Sequence, residues 1–544
     1  MVEWTFEGWS DDPIGAGSDP ELVGPVLVAK RAQDATDAVF LQEVDGTTLT
    51  YGQFHESALR WADALRRHGV GEDDKVGVFL RPVFEAHLAW FASAWLKAQE
   101  VPYNTDYRGR MLSYVLNDST ARIVFTSPDL LGRIVEVADE LDHLETVVLT
   151  DDPQGALPDS TLTIKRLGQF LEGTELAKGL TPPQPDDIAQ IVYTSGTTGP
   201  SKGVLVPWAE LSTLHTVTPD HWEDYHPIMY SPFPINHLTG TTPVVRAARL
   251  GGTVVMREVF SGAHFWQDCI DFDCTDTVLV GAMANFLMQQ PEQPGDRDNP
   301  LRWTFMAPAI PSVEEFEERF GVKICVIYGM TEIGWPLLGH DVRRDNHLSC
   351  GKQRPGYDLK LIDPDTGEEL GANQTGELIV RAHDPVVMNQ GYFNKPEKTT
   401  ESWEDGWFRT GDGFRFDDDG NWYFVDRLKD AIRRRGENIS SFEVEAEVNN
   451  HPDVLESAAV AVPSEHTEDE IKVVVVPKPD ATVTPEALLE FLIPRMPRFM
   501  IPRYVEIVDE LPKTASGKIR KLELRDVDLE VVFDREAAGI VVPR

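Results

Sequence analysis

The sequence reads as an α/β protein, from two sets of apolar runs of strand length. The first set is "KVGVFL" (75–80), "ARIVFT" (121–126) and "ETVVLT" (145–150). The second is "GGTVVM" (251–256), "DTVLVG" (276–281) and "VKICVIYG" (322–329). Helically spaced stretches separate the runs, which predicts βα units and mostly parallel sheets. Residues 51–70, "YGQFHESALRWADALRRHGV", place Phe54, Leu59, Ala62 and Leu65 toward one face of a helix. A proline-rich linker, "LTPPQPDD" (180–187), precedes another apolar run, "IAQIVY" (188–193). From residue 350 onward the texture changes to short strands and turns, as in "LKLIDPDTGEEL" and "DDDGNWYFV". Beyond residue 428 a smaller α+β unit is expected. A chain of 544 residues needs two or more domains.

The hydrophobic fraction of 41% and charged fraction of 26% are those of a soluble globular protein. The most apolar stretch, residues 76–98, is interrupted by Arg81, Glu85, His87 and Lys97, so no membrane span is expected. The start, "MVEWTFEGWSDDP", lacks the basic and apolar regions of a signal peptide. Cys269, Cys274, Cys325 and Cys350 have no metal-site spacing and are read as reduced thiols. A cytoplasmic enzyme is the expectation. The formal net charge of −40 argues against nucleic acid and anionic membrane as partners. It does not bar an anionic ligand, because the Debye length is about 8 Å at physiological salt. Local cations, backbone amides or Mg²⁺ can dominate at that range.

The stretch "IVYTSGTTGPSKGV" (191–204) carries the first chemical signal. Gly196, Gly199 and Gly203 let the backbone approach a ligand. Thr194, Ser195, Thr197 and Thr198 add hydroxyls, and Lys202 adds a compact positive charge. Consecutive N–H groups with such side chains make an anion cradle suited to phosphates. No Gly-Lys-Ser/Thr closes the loop, so it is not a Walker A motif. A plain polar turn is the competing reading.

Five stretches follow one another in order: "YTSGTTGPSKG", "YGMTE" (328–332), "RTGD" (409–412), "DRLKDAIRRRGENIS" (426–440) and "PKTASGKIRK" (512–521). Together they resemble the adenylate-forming enzymes: acyl-CoA synthetases, adenylation domains of peptide synthetases, and beetle luciferases. The resemblance covers residues 25–525. "RRGENIS" and "GYFNKPEKT" (391–399) are most similar to the acyl-CoA synthetases. "FSGAHFW" (260–266), taken with the other motifs, resembles the crotonobetaine/carnitine–CoA ligase branch.

The resemblance implies a large N-terminal domain, 1–428, of two βα-layered subdomains plus a small distorted β-barrel. A small mobile α+β domain, 429–530, and a tail, 531–544, would follow. It implies ATP, Mg²⁺ and coenzyme A as cofactors or co-substrates and a small carboxylic acid as substrate. A carboxylate is a poor acyl donor. Attack on the α-phosphate of ATP gives an acyl-AMP, from which AMP leaves readily toward a thiol. The protein positions reactants and stabilises charge at phosphorus.

By the same resemblance, Thr194 to Lys202 hold the β- and γ-phosphates. Tyr328 stacks on adenine, with Gly329 and Ala307 beside it, and Thr331 bonds the α-phosphate. Glu332, with Thr194, helps hold Mg²⁺. Asp412 accepts the ribose hydroxyls and Arg427 reinforces that contact. Lys518 reaches the α-phosphate and the substrate carboxylate together. Lys429 is the pivot of an interdomain hinge that swaps Lys518 for the pantetheine-facing Gly436. Arg433, Arg434 and Arg435 would offset CoA phosphates. His237 would line the carboxylate pocket or gate the thiol channel. The stretches 279–287, 305–310 and 333–338 would form the acyl pocket, with Met283, Phe286 and Trp335 available.

Plainer readings stand beside these. Tyr328 could be a core aromatic, Asp412 a turn residue, Lys518 a surface lysine, His237 a structural histidine, and the arginine run a solvated face. Two departures from the family pattern are visible. The loop reads Gly-Pro-Ser-Lys, and "FMAPAI" lacks the usual glycines at the adenine turn, which leaves Ala307 and Pro308 open as contacts. "FPI" (233–235) stands where an amino-acid-activating domain has an aspartate after a phenylalanine, which argues against an α-amino acid substrate. The expected activity is an AMP-forming acyl-CoA synthetase. The alternatives are an amide synthetase using an amine as acceptor and a non-catalytic nucleotide-binding regulator. Oligomeric state is open, with a homodimer one option.

Overall fold

The computed structural model describes the chain except residues 1–8, 12–16, 154, 195–200, 215, 220–225, 311, 340–348, 365, 428–431, 435–436, 440, 465–468, 497, 514–518, 526–528 and 543–544. The chain divides into two compact units. The first contains residues 1–359 and 380–408, the second residues 360–379 and 409–544.

The first unit is built on two large sheets. One has seven strands in the order Lys202–Pro207, Ile188–Thr194, Gln99–Pro102, Lys75–Phe79, Ile123–Thr126, Thr146–Leu149 and Thr163–Arg166. All its pairings are parallel except that of Lys202–Pro207, which runs antiparallel to Ile188–Thr194. The other has nine strands. Its centre is the parallel series Lys323–Met330, Trp303–Met306, Asp276–Leu279, Ile228–Ser231, Thr253–Met256 and Val39–Glu43. The apolar runs picked out by sequence are strands of these two sheets, because strands covered on both faces must be continuously apolar.

The helix Tyr51–Arg67 starts at Thr50, whose hydroxyl accepts from the Gln53 N–H while the Gln53 side chain returns to the Thr50 N–H. Its Phe54, Ala62 and Leu65 are buried in a core shared with the helices Phe84–Trp95 and Leu238–Leu250, while Leu59, expected on the same face, is only half-buried. Trp90 and Trp208 stack within that core at 5.1 Å. The apolar segment at 76–98 is therefore interior strand and helix. No helix among the described residues is long and apolar enough to cross a membrane. Cys269, Cys274 and Cys325 are buried, and none of the four cysteines forms a disulfide.

Residues 357–427 supply a five-stranded sheet that includes Trp407–Phe416 and Trp422–Arg427, matching the expected small barrel-like element. The second unit also carries a four-stranded sheet of Val454–Pro463, Asp469–Pro477, Tyr504–Ile507 and Phe533–Asp534. Separate apolar clusters cover this sheet, one around Val473, Val475 and Leu488, another around Val460 and Val474. The stretch expected as a tail contributes to this unit. Phe533–Asp534 pairs antiparallel with Tyr504–Ile507, Asp534 holds Arg503 at 2.9 Å, and Val542 joins a core cluster.

Candidate active site

Strands Ile188–Thr194 and Lys202–Pro207 are direct neighbours, with Thr194 opposite Lys202. The two ends of the proposed phosphate cradle are thus fixed across one antiparallel pair. Ser195, Gly196, Thr197, Thr198 and Gly199 lie outside the described residues. Gly203 is required by packing, since a Cβ there would lie 2.7 Å from the Ile191 side chain. The Ser201 carbonyl accepts from the Tyr114 hydroxyl at 2.9 Å. The Lys202 ammonium sits 4.1 Å from the centroid of the Tyr392 ring, within cation–π range.

The "YGMTE" segment ends the strand Lys323–Met330 and turns into Gly334–Gly339. Tyr328 is 9% exposed, so the plainer reading of a core-packed aromatic describes much of its surface in this structure. Gly329 has no room for a side chain: a Cβ would stand 2.2 Å from the Gly334 carbonyl oxygen. Gly334 itself has φ +61°, in the left-handed region. These two glycines allow the tight turn that presents Thr331 and Glu332.

Glu332 is buried, and its Oε1 accepts from the Tyr392 hydroxyl at 3.1 Å. Its backbone carbonyl accepts from Asn389 Nδ2 at 2.6 Å and from the Asn389 N–H at 3.1 Å. A second carboxylate, Glu210, is fully buried nearby and takes the Gly334 N–H at 3.0 Å. Burial, then the charge of Glu332, push the Glu210 carboxyl well above the ordinary carboxylate range. Glu210 Oε2 has no hydrogen-bond partner. Two buried carboxylates that repel each other fit a hard divalent cation, since Mg²⁺ takes one or two carboxylates with phosphate oxygens. No group of three or more His, Cys, Asp or Glu fit for a metal occurs among the described residues.

His237 is the N-cap of the helix Leu238–Leu250, its Nδ1 accepting from the Thr239 N–H at 3.2 Å. The structural role read as a rival in the sequence is thus present. Ala307 follows the strand Trp303–Met306, and its N–H donates to Leu279 at 3.2 Å. Phe305 packs edge-on against Trp335 at 4.9 Å, joining two of the stretches assigned to the acyl pocket. Phe286 is 48% exposed on the helix Gly281–Met288.

In the second unit, Asp412 is 6% exposed and lies opposite Arg427 in the antiparallel pairing. The backbone of "RTGD" is anchored from Gly376–Ala382. Glu377 accepts from Arg409 Nε at 3.0 Å and from the Gly411 N–H at 3.1 Å, and Thr410 donates to the Leu378 carbonyl at 2.6 Å. Gly411 has φ +70°. The Arg427 side chain, Lys429, Gly436 and Lys518 lie outside what is described. Lys513 and Ile519 form an antiparallel bridge. Arg434 departs from its assigned role: it is 3% exposed, pairs with Glu470 at 2.7 Å and donates to the Ile501 carbonyl at 3.1 Å. A buried, paired guanidinium is no docking point for a CoA phosphate.

Sequence reading passed over Glu210, Asn389, Tyr392 and Glu377. Of these only Tyr392 had a signal, its place in "GYFNKPEKT".

Comparison with known proteins agrees with the motifs. Residues 28–393 match the model of the AMP-binding enzyme family, and residues 443–518 match the AMP-binding enzyme C-terminal domain. The crotonobetaine/carnitine–CoA ligase of Proteus mirabilis is 29% identical over 90% of this chain and 96% of its own. The sulfoacetate–CoA ligase of Cupriavidus necator is 30% identical over 94% of this chain and 99% of its own. An anthranilate CoA ligase solved with anthranoyl-AMP has the same fold, with a TM-score of 0.82 at 22% identity over 95% of this chain and 97% of its own. An amide bond synthetase from Marinactinospora thermotolerans also shares the fold, with a TM-score of 0.78 at 23% identity over 92% of this chain and 99% of its own. The chain belongs to the AMP-binding enzyme family, as an adenylate-forming enzyme of the acyl-CoA synthetase kind.

Proposed function

We propose that the protein activates a small carboxylic acid with ATP, releasing pyrophosphate, and passes the acyl group from AMP to coenzyme A. The observation that carries this reading is the meeting of Lys202, at the exit of the glycine–hydroxyl loop, with buried Glu332 across Tyr392. A cation and a carboxylate held on one aromatic side chain suit a triphosphate with its divalent ion. Bound Mg²⁺, held by Glu332 with Thr194 and phosphate oxygens, would neutralise charge on the leaving pyrophosphate. Lys202 draws the β- and γ-phosphates to the loop. Thr331 orients the α-phosphate and Asp412 the ribose. Lys518 brings the acid's carboxylate to phosphorus by offsetting the repulsion of two anions. The named activities of the relatives, on crotonobetaine, carnitine and sulfoacetate, support a small polar acid as substrate. ATP and CoA as substrates favour a cytoplasmic enzyme, and a homodimer remains part of the proposal.

The test is pyrophosphate release with a panel of short acids, with and without CoA, and product identification by mass. Acid-dependent release with a thioester formed only when CoA is present is the expected result. Release with no thioester for any acid would move the assignment to an amide synthetase. No release with any acid would leave a nucleotide-binding regulator.

A further inference from the structure

We propose that Tyr392 is a positioning residue that aligns the phosphate-binding lysine and the metal-binding carboxylate through opposite parts of one side chain. The inference rests on the function proposed above for Lys202 and Glu332. The ring face carries the Lys202 ammonium at 4.1 Å. The hydroxyl donates to Glu332 Oε1 at 3.1 Å. Lys202 is far in sequence from Glu332 and begins a strand of one sheet, whereas Glu332 lies in a turn between two strands of the other, so neither local chain fixes their separation. Tyr392 does so from a third segment.

That segment is itself tied to both. Residues 390–393 run along the strand that leaves the loop: Gln390 N–H donates to Leu205 at 2.8 Å, Leu205 N–H to Gly391 at 3.0 Å, and Phe393 N–H to Gly203 at 2.8 Å. Val204 and Tyr392 form an antiparallel bridge. One turn earlier, Asn389 holds the Glu332 carbonyl through its side chain and its N–H, and accepts the Gly391 N–H at 2.8 Å. Gly391 has φ +97°, and its Cβ would crowd Thr399 at 2.9 Å. Thr399 in turn accepts the Tyr392 N–H at 2.9 Å. Tyr392 is 6% exposed. Its position is fixed on every side, so it can transmit placement. An ammonium on an aromatic face is held by the ring's quadrupole, and the ring adds no counter-charge that would compete with phosphate.

The two functions separate by substitution. Tyr392→Phe keeps the ring and deletes the hydroxyl. Tyr392→Leu deletes both. Equilibrium binding of ATP is measured in EDTA and in a Mg²⁺ titration, with melting temperatures alongside. For Tyr392→Phe we expect metal-free ATP binding as in the wild type, and about a tenfold rise in the Mg²⁺ concentration that gives half-maximal enhancement. For Tyr392→Leu we expect metal-free binding to weaken about tenfold as well. A Mg²⁺ curve for Tyr392→Phe that overlays the wild type overturns the carboxylate half of the proposal. Unchanged metal-free binding by Tyr392→Leu overturns the lysine half. If both variants melt early and bind ATP in proportion to the folded fraction, the residue is structural only and the proposal fails. Acid-dependent pyrophosphate release by the wild type reports on the function separately. Its absence with ATP binding intact would sink the ligase reading while the binding comparison still decides Tyr392.

Discussion

Glu100 shows how a single buried carboxyl near the site reports its state. It lies 1% exposed in the strand Gln99–Pro102, beside the strand that enters the phosphate loop, and accepts from Gln190 Nε2 at 2.6 Å. Burial pushes its carboxyl from 4.5 up to about 8. Gln190 Oε1 is buried with no hydrogen-bond partner, and a protonated carboxyl is the form with a donor to offer. The folded protein therefore keeps a proton that the unfolded chain releases. That contribution to stability is full below about pH 4.5, declines as pH rises toward 8, and is flat beyond it. Glu100→Gln, always neutral, should gain on the wild type from pH 5 to pH 8 by a few kcal/mol, about 1.4 per pH unit, and no further above that. Melting curves at three pH values read the difference; a constant gap would mean the carboxyl is ionised when folded. Glu332 gives the opposite trade. Glu332→Gln removes one of two repelling buried carboxylates, so its melting temperature should hold or rise. The Mg²⁺ needed for pyrophosphate release should nonetheless increase about tenfold or more, because a metal-binding charge is gone. A falling melting temperature with an unchanged Mg²⁺ requirement would place Glu332 in the scaffold alone.

Strands and turns carry their own predictions. The turn between Lys323–Met330 and Gly334–Gly339 has no space at Gly329, where a Cβ would meet the Gly334 carbonyl at 2.2 Å and Trp335 at 2.6 Å. Gly329→Ala must open that turn, at a cost of about 2 kcal/mol or more, and should weaken ATP binding as Thr331 and Glu332 move. In the second unit, Glu377 is 3% exposed and fixes Arg409 and Gly411 around Thr410. Glu377→Ala leaves a guanidinium and an N–H without their acceptor. We expect a loss of about 2–3 kcal/mol and a higher KM for ATP, because Asp412 loses its support. A lowered melting temperature with unchanged KM would separate Asp412 from the nucleotide. The strand that leads into the first turn was legible as the apolar run 322–329, and Gly329 and Asp412 were legible as motif letters. Their anchors were not. Glu377 and Asn389 act through hydrogen bonds to distant segments, and such pairings leave no periodicity in the chain. The exposure of Phe286 was not legible for a related reason: its run is apolar throughout, so spacing could not tell a buried residue from an exposed one.

For the whole molecule, the order of the motifs was enough to anticipate two α/β sheets, a smaller sheet near residues 357–427 and an α+β C-terminal region. What sequence could not supply was which residues hold that last region together. Its core includes Lys472, fully buried against Glu506 at 2.7 Å and the Leu524 carbonyl at 3.0 Å, and the strand Phe533–Asp534 near the end of the chain. Lys521 ties the segment after Lys518 to the helix Ser441–Asn449 through Glu445 at 2.8 Å, and Asp426 takes the Ser441 N–H at 2.6 Å. A unit with its own apolar clusters and its own ion pairs can move as a body. The proposed mechanism requires such a body, since it uses Lys518 in one step and withdraws it in the next. That requirement predicts an asymmetric effect of Lys518→Ala. Acid-dependent pyrophosphate release should fall by about three orders of magnitude, the scale of losing a charge placed at the reacting phosphate. Thioester formation from supplied acyl-AMP and CoA should change by less than about tenfold, because in the proposed mechanism the lysine takes no part in thiol attack on the adenylate. Single-turnover assays of the two half-reactions make the comparison directly. Equal loss in both would mean that Lys518 serves one fixed site throughout, and the C-terminal unit would then be a static wall of the enzyme.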